Sequence, residues 1–442
     1  MTAKEVTRAL KWPEFEGLGL TPEKALAYNR FRFWRIVMAS SIWYSFYYLG
    51  RLNWGVCIPW IIKDLGYSKM ECGAVATSLL WSYAIGTFLA GRWGDRYGPR
   101  IMQTIGGFGS TILNILVALQ SSLTGIFFTI SLNGFVQGQT YAPTNMLITQ
   151  WYPKARRGFA TGIYGTSMGI ASLVVWVITG YTVAHYGWRA AFVWPLLIFV
   201  LPTTIALRFF VKDKPEDAGF PPYKETHEKS ISAEVEKLTD KDISGVKAWI
   251  ILFKNWKFIC ICLASLFAYI GRFGLLTWIT LFYAETAGIK LSKVAIMTFA
   301  LPFGMMFGPV IAGWLSDKFF KAKRFQMTCI FFVGSIVVLF LMAFIPIKTM
   351  GLPIAIILQI LAGMLTLGVV GVLFTAGCDF GGRKMAGTAV GTLNFFNYFG
   401  AGIQGVLIGG ILTATGGNWT VVFATIGGLM VIGTFLVFLT KE

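Results

Sequence analysis

Two arginines stand where arginine is rarely found. Arg51 lies in the apolar stretch 34–61, within Tyr44-x-x-x-Tyr48-x-x-Arg51, and Arg272 lies in the stretch 257–284, within Tyr269-x-x-Arg272. At the centre of a lipid-spanning helix an arginine costs about 2.5–3.5 kcal/mol on insertion scales, so it is expected in a wet cavity or a protein interior. An internal ion pair would satisfy it and would need a carboxylate at the same depth. None of the 20 Asp and Glu residues falls near the centre of an apolar stretch: Glu71, Asp95, Glu285, Asp317 and Asp379 sit at the ends, and the others lie in tails or loops. The expected partner is therefore a bound anion. Guanidinium forks match the oxygens of phosphate in bidentate geometry, stay charged at any working pH, and are more weakly hydrated than an ammonium group. Two of them balance a phosphate dianion.

Helical spacing recruits neighbours. Tyr44, Tyr48 and Arg51 share one stripe, and Tyr269 sits one turn from Arg272. Such tyrosines can line a cavity or an ordinary helix interface, and the spacing alone leaves both open. The same holds for Asn133, Gln137, Asn394, Asn397 and Tyr398, because amides in lipid-spanning helices serve either interhelical hydrogen bonds or ligand contact.

The elements that must position these groups follow from composition. The 442 residues are 55% hydrophobic and 13% charged, with a mean hydropathy of +0.65, far from soluble composition. About 20 apolar residues make one crossing, and twelve stretches qualify: 34–61, 72–93, 101–120, 123–151, 158–185, 189–211, 257–284, 293–316, 326–346, 352–378, 386–413 and 419–440. This predicts an all-α membrane protein. Fifty glycines without a fixed period fit close helix packing in lipid.

The net charge of +18 would suggest nucleic acid in a soluble protein, but its distribution explains it otherwise. Of the 38 basic residues, 30 lie in the tails and even-numbered connections, six in the odd-numbered ones, and two in mid-helix. The positive-inside rule then puts both termini in the cytoplasm, with no cleavable leader expected, and makes nucleic acid unnecessary. The six cysteines fall in or beside apolar stretches without metal-knuckle spacing, so they are expected to pack. No catalytic set, phosphate loop or metal cluster is visible, which argues against an enzyme and against a cofactor.

A long polar stretch from Lys212 to Lys247 divides the chain. Tyr48-Leu49-Gly50-Arg51 reappears as Tyr269-Ile270-Gly271-Arg272 at an offset of 221, and Gly91-Arg92-Trp93-Gly94-Asp95-Arg96 as Gly313-Trp314-Leu315-Ser316-Asp317-Lys318 at 222. Two matches at nearly one offset predict a parallel repeat of six helices about an axis along the membrane normal. The expected organisation is a tail at 1–33, a bundle at 34–211, a loop at 212–256 and a second bundle at 257–440. Both arginines then lie near mid-membrane, one from each bundle.

At these residues the chain resembles a major facilitator superfamily transporter, and within it the organophosphate:phosphate antiporters, the group of the glycerol-3-phosphate and hexose-phosphate carriers. The resemblance rests on Tyr44-x-x-Tyr47-Tyr48-x-x-Arg51, Tyr269-x-x-Arg272, Asn133-Gly134-x-x-Gln137-Gly138 with Pro143, the motifs at 91–96 and 313–318, and Ala386-Gly387-Thr388 running to Tyr398. It spans nearly all of residues 34–440 and implies a monomer in the inner (plasma) membrane. It also implies a cavity lined by the tyrosines and amides above, with Asp95, Arg96, Asp317 and Lys318 tying helix ends as gating groups. The family's lysine after the first arginine is Leu52 here, its aspartate five residues after the second is Thr277, and its fifth-helix histidine in glycerol-3-phosphate carriers corresponds to Ser167. Loss of both members of that charge pair leaves the cavity charge unchanged. The implied activity is exchange of a phosphate ester for inorganic phosphate. An organic-anion symporter of the same superfamily and a transporter-shaped sugar-phosphate sensor are the alternatives.

Overall fold

The computed structural model describes residues 20–67, 69–222, 243, 246–286, 299–321, 323–345 and 347–441. His227, most of the central loop and the first turn expected for the eighth crossing lie outside them. The described residues form helices and turns, and the crossings follow the expected order. We number them α1 (39–65, interrupted at Tyr48), α2 (Lys69–Tyr97), α3 (Pro99–Leu119), α4 (Leu123–Gln137 and Tyr141–Trp151), α5 (154–186), α6 (188–210), α7 (Trp256–Thr286), α8 (Ala300–Phe319), α9 (Arg324–Phe344), α10 (352–381), α11 (386–414) and α12 (Trp419–Leu439).

Seven continuous helices among the described residues are long and apolar enough to cross a membrane. Two of these, Lys154–Phe210 and Gly351–Leu412, are antiparallel pairs run together across a backbone break. Gly187 shows why: its φ of 82° is accessible to glycine at no steric cost and turns α5 into α6 without a loop. The remaining crossings are α1, interrupted at Tyr48, α4, interrupted at residues 138–140, and α8, whose described helix is the 20-residue Ala300–Phe319.

Large apolar side chains cover the outside, with Trp176 at 66%, Phe209 at 73% and Val406 at 83% exposure, as lipid-facing surfaces require. Of the expected tail, residues 20–33 are described, and most of them are helical. Helix Pro22–Phe31, capped by Thr21 Oγ1, runs into α1 through the π-helical turn Arg32–Met38. Tyr28 stacks on Phe220 at 4.8 Å and Phe31 on Trp151 at 5.1 Å, while Trp151 donates to the Lys212 carbonyl, so tail and early linker are fastened to the first bundle.

The bundles meet along two seams, α2 against α11 and α5 against α8. Gly91 and Gly387 bring backbones into contact in the first, and Gly158 and Gly313 in the second; a methyl group at any of the four would strike the opposing main chain. Close approaches at glycines run from the face bearing the termini as far as Gly402 against Trp81 in one seam and Gly169 against Met306 in the other. One large apolar cluster spans both bundles. A second, containing Trp54, Cys57, Ile61, Cys72, Val75, Trp188 and Phe192, belongs to the far half of the first bundle alone.

Candidate functional site

Arg51 and Arg272 both point inward, each 5% exposed. The Arg51 guanidinium lies 4.0 Å from the Tyr48 ring centre, 4.6 Å from Tyr83 and 5.9 Å from Tyr398. Arg272 lies 4.9 Å from Phe273 and 5.2 Å from Tyr269. Ring faces attract cations through their quadrupole, so these contacts hold the guanidinium groups in place without neutralising them. Tyr398 joins the two sets: its ring is 4.2 Å from Tyr83, 5.7 Å from Tyr269 and 6.1 Å from Phe273. One aromatic cluster thus connects an arginine of α1 to an arginine of α7.

Neither arginine forms an ion pair among the described residues, whereas Arg157, Arg189, Arg324 and Arg383 do. Arg51 Nη1 and Arg272 Nε are buried N–H donors without an acceptor. A buried, unmatched donor is costly, and on a permanently charged group more so. This arrangement is suited to an anion that brings its own oxygens. The positions of the missing family charge pair are occupied by neutral contacts: Leu52 packs against the core, and Gln404 of α11 reaches Thr277 Oγ1 at 3.5 Å while accepting from Trp278 Nε1 at 3.1 Å.

The aromatic lining extends beyond the residues marked in the sequence. Tyr44 packs at 5.2 Å against both Tyr48 and Tyr164 and at 5.5 Å against Tyr141, and Tyr141 meets Phe374 of α10 edge-on at 4.6 Å. Tyr83, Tyr141, Tyr164, Phe273 and Phe374 were not singled out. For Tyr83 a signal existed: it precedes Asp95 by twelve residues on one helix, which is about 18 Å of rise and carries it from a helix end to mid-membrane depth.

The polar candidates divide into groups. Asn133 and Gln137 belong to a network inside the first bundle: Asn133 donates to the Gly50 carbonyl at 2.7 Å and accepts from Ser110, and Gln137 donates to Ser110 Oγ at 2.6 Å. Asn114 and Asn53 complete it. This network anchors the Tyr48–Arg51 segment from behind rather than facing Arg272. Ser167 turns its hydroxyl to the Tyr164 carbonyl of its own helix. Asn394 donates to Thr87 Oγ1 across the first seam at 3.1 Å, and Asn397 accepts from Ser265 within the second bundle. Asn394 Oδ1 and Asn397 Nδ2 remain unmatched.

At the face bearing the termini, Asp95 accepts from the backbone N–H groups of Gly387 at 2.9 Å and Thr388 at 2.7 Å, and from the Thr388 hydroxyl. It caps the start of α11, where helix N-termini favour negative charge. Asp317 reaches across to α5 beyond its first turn, accepting from Phe159 N at 2.8 Å. Arg324 holds Asp317 at 2.5 Å and Asp379 at 2.9 Å, Asp379 is also paired with Arg157 at 2.5 Å, and Arg324 donates to the Lys154 carbonyl at 2.7 Å. Gln150 adds a bond to the Arg383 carbonyl at 2.7 Å. Arg96 and Lys318 take another role: both are exposed, Arg96 over Tyr97 and Lys318 over Trp314. The ionic cluster was not read from the sequence, although a lone carboxylate at the end of α10 was a hint. Outside the helices, Asp213 accepts from Arg100 N at 2.9 Å at the start of α3, and burial pushes its carboxyl above the usual range despite that bond.

A sequence profile of the Major Facilitator Superfamily matches residues 41–405. The chain is 28% identical over 400 residues to a probable hexose phosphate transport protein of Chlamydia pneumoniae, covering 88% of this chain and 87% of the relative. It is 28% identical over 388 residues to the glycerol-3-phosphate transporter of Bacillus subtilis, covering 85% and 84%, and 26% identical over 384 residues to the membrane sensor protein UhpC of Escherichia coli, covering 85% of each. Among solved structures, the fucose:proton symporter FucP of E. coli superposes with a TM-score of 0.71 at 13% identity, covering 92% of this chain and 98% of that one, which establishes the fold.

Proposed function

The chain belongs to the Major Facilitator Superfamily, and from that premise we propose that it exchanges an organic phosphate ester for inorganic phosphate across the inner (plasma) membrane, both termini lying in the cytoplasm. As a transporter of this superfamily related to sugar-phosphate and glycerol-3-phosphate carriers, it is not an enzyme; the work it does is binding and reorientation. The observation that carries the reading is the pair of inward arginines, each with a buried N–H lacking an acceptor and neither ion-paired among the described residues.

Arg51 and Arg272 clasp the phosphate group, one fork from each bundle, and the Tyr48, Tyr83, Tyr269 and Tyr398 rings fix the approach of the guanidinium groups. With the cavity empty, bringing two like charges together while excluding water is unfavourable. A dianion neutralises them and permits the bundles to rock. Empty return is thereby disfavoured, which converts transport into exchange. The contacts at the face bearing the termini hold the cytoplasmic side shut, so the conformation described is one that receives substrate from outside. A proton-coupled route would need a titratable group at mid-membrane depth, and the carboxylates of the two seams lie at helix ends.

Purified protein in liposomes loaded with inorganic phosphate should take up labelled phosphate esters in exchange, with Arg51→Lys and Arg272→Lys each slowing it by at least about 100-fold, since a point charge replaces a bidentate fork. Uptake that needs a pH gradient and ignores internal phosphate would sink the exchange reading. A second reading, sugar-phosphate sensing, is favoured by the 26% identity to UhpC. Binding without turnover in the same liposomes would select it.

A further inference from the structure

A short helix, Lys247–Lys254, precedes α7 and belongs to none of the crossings. Asn255 follows it with an extended backbone (φ −87°, ψ 101°), so its axis breaks from that of α7. The apolar span of α7 opens at Trp256, and the neighbouring Lys257 donates to the Lys441 carbonyl at 3.2 Å. These two facts set the helix at the face bearing the termini, at the level where the span begins.

Its surface divides into three sectors. Ala248 and Leu252, one turn apart, are buried against the protein, with Trp249 beside them. Val246, Ile250 and Phe253 follow the spacing of a single helical stripe, and all three are exposed, as is Trp256 after the bend. Lys247 and Lys254, two turns apart, are exposed along the edge of that stripe. A stripe of large apolar side chains edged by lysines and joined directly to a membrane-spanning helix has the make-up of a helix lying in the plane of the headgroups. Lysine stems run along apolar surface while their ammonium groups reach the phosphates of anionic lipid.

The protein-facing sector crosses between bundles. Trp249 leads into the second bundle, yet its ring stacks on Phe88 of α2 in the first, with centres 4.8 Å apart and planes within 16°. Phe88 in turn lies 5.5 Å from Phe395 of α11, and it stands one turn from Gly91, where the α2 and α11 backbones touch. The indole therefore covers the α2/α11 seam from its flank.

We propose that helix Lys247–Lys254 is an interfacial clasp: Val246, Ile250 and Phe253 sink into a leaflet carrying anionic phospholipid, Lys247 and Lys254 engage its phosphates, and Trp249 is held on Phe88 across the seam. Opening this face moves α2 away from α11 and pulls Phe88 from the indole, so the leaflet favours the closed arrangement. Nothing in this depends on the central arginines, and the clasp acts alike in exchange, symport or sensing.

The test uses the full chain with Cys260→Ser and Cys329→Ser, which removes the two cysteines that are not buried, in mixed phosphatidylcholine and phosphatidylglycerol vesicles. A nitroxide on Ile250→Cys should be relaxed by oxygen and shielded from a water-soluble nickel chelate. That shielding should fall several-fold in phosphatidylcholine alone, or when Lys247→Gln and Lys254→Gln are added. Ready access of the chelate in the mixed vesicles, shielding from both reagents as under a protein partner, or immersion indifferent to lipid charge overturns the assignment of the leaflet. The clasp is read as the distance between nitroxides on Tyr97→Cys and Phe319→Cys. Trp249→Ala should lengthen and broaden it, and Trp249→Phe, which keeps a ring on Phe88, should not. A shift in both variants or in neither overturns the clasp.

Discussion

At the α2/α11 seam the hydrogen bonds that Asp95 accepts among the described residues come from neutral donors, two backbone N–H groups and a hydroxyl. At the α5/α8 seam Asp317 accepts from one backbone N–H, that of Phe159, and is also gripped by Arg324, which draws in Asp379 and Arg157. The two begin from matching sequence, Gly91 to Asp95 and Gly313 to Asp317, and both use a glycine pair to bring backbones together. They diverge seven residues after each aspartate, where one chain segment has Met102 and the other Arg324. A repeat thus fixes the crossing geometry while leaving closure strength to residues outside the motif. One seam closes by hydrogen bonds, the other by a buried ionic network.

Breaking the stronger seam should have the larger consequence. Asp379→Asn leaves Arg157 and Arg324 buried with less compensation, and losing one partner of a buried pair costs about 3–5 kcal/mol. Spin labels at Tyr97 and Phe319, exposed ends of the two bundles at this face, should report a shift from one short distance to a broad long one. An unchanged distance would mean the network is dispensable. Asp95→Asn keeps acceptor capacity but loses charge, and hydrogen bonds to a charged group contribute about 1.5–3 kcal/mol. The same labels should show a partial shift, smaller than for Asp379→Asn. An equal or greater effect would overturn the ranking of the seams.

The smallest effect concerns Asp213, which holds the segment following the first seam. Its carboxyl is raised by burial, so the folded state binds a proton more readily than the unfolded chain. That contribution favours folding below the raised value and is lost as pH rises through it. The midpoint of the wild type should therefore gain on that of Asp213→Asn as pH falls from neutral toward the ordinary carboxylate range. A difference independent of pH would show that the carboxylate is not displaced.

Much of this architecture was legible because apolar stretches of bilayer length leave few alternatives, and Arg51 and Arg272 stood out because charge in such stretches demands a reason. The assignment of neighbours was harder. Asn133 and Gln137 lie one turn apart, as a cavity lining would, yet they face Ser110 and the Gly50 carbonyl; helical spacing defines a stripe and not which neighbour it meets. Arg157 and Asp379 are 222 residues apart, and nothing in the composition near either one indicates the other. The π-helical turns at Arg32–Met38 and Leu196–Val200 carry no local signal distinct from an ordinary helix.

The separate apolar cluster around Trp54, Trp188 and Phe192 bears on how reorientation is controlled. A lobe that is self-supporting at its far end can lean away from its neighbour there without surrendering oily contact. The balance between orientations is then governed by charge and hydrogen bonding at the near end. Solutes that strengthen or weaken hydrophobic association, such as sulfate or urea, act mainly on whether each lobe stays folded and little on which way the pair leans.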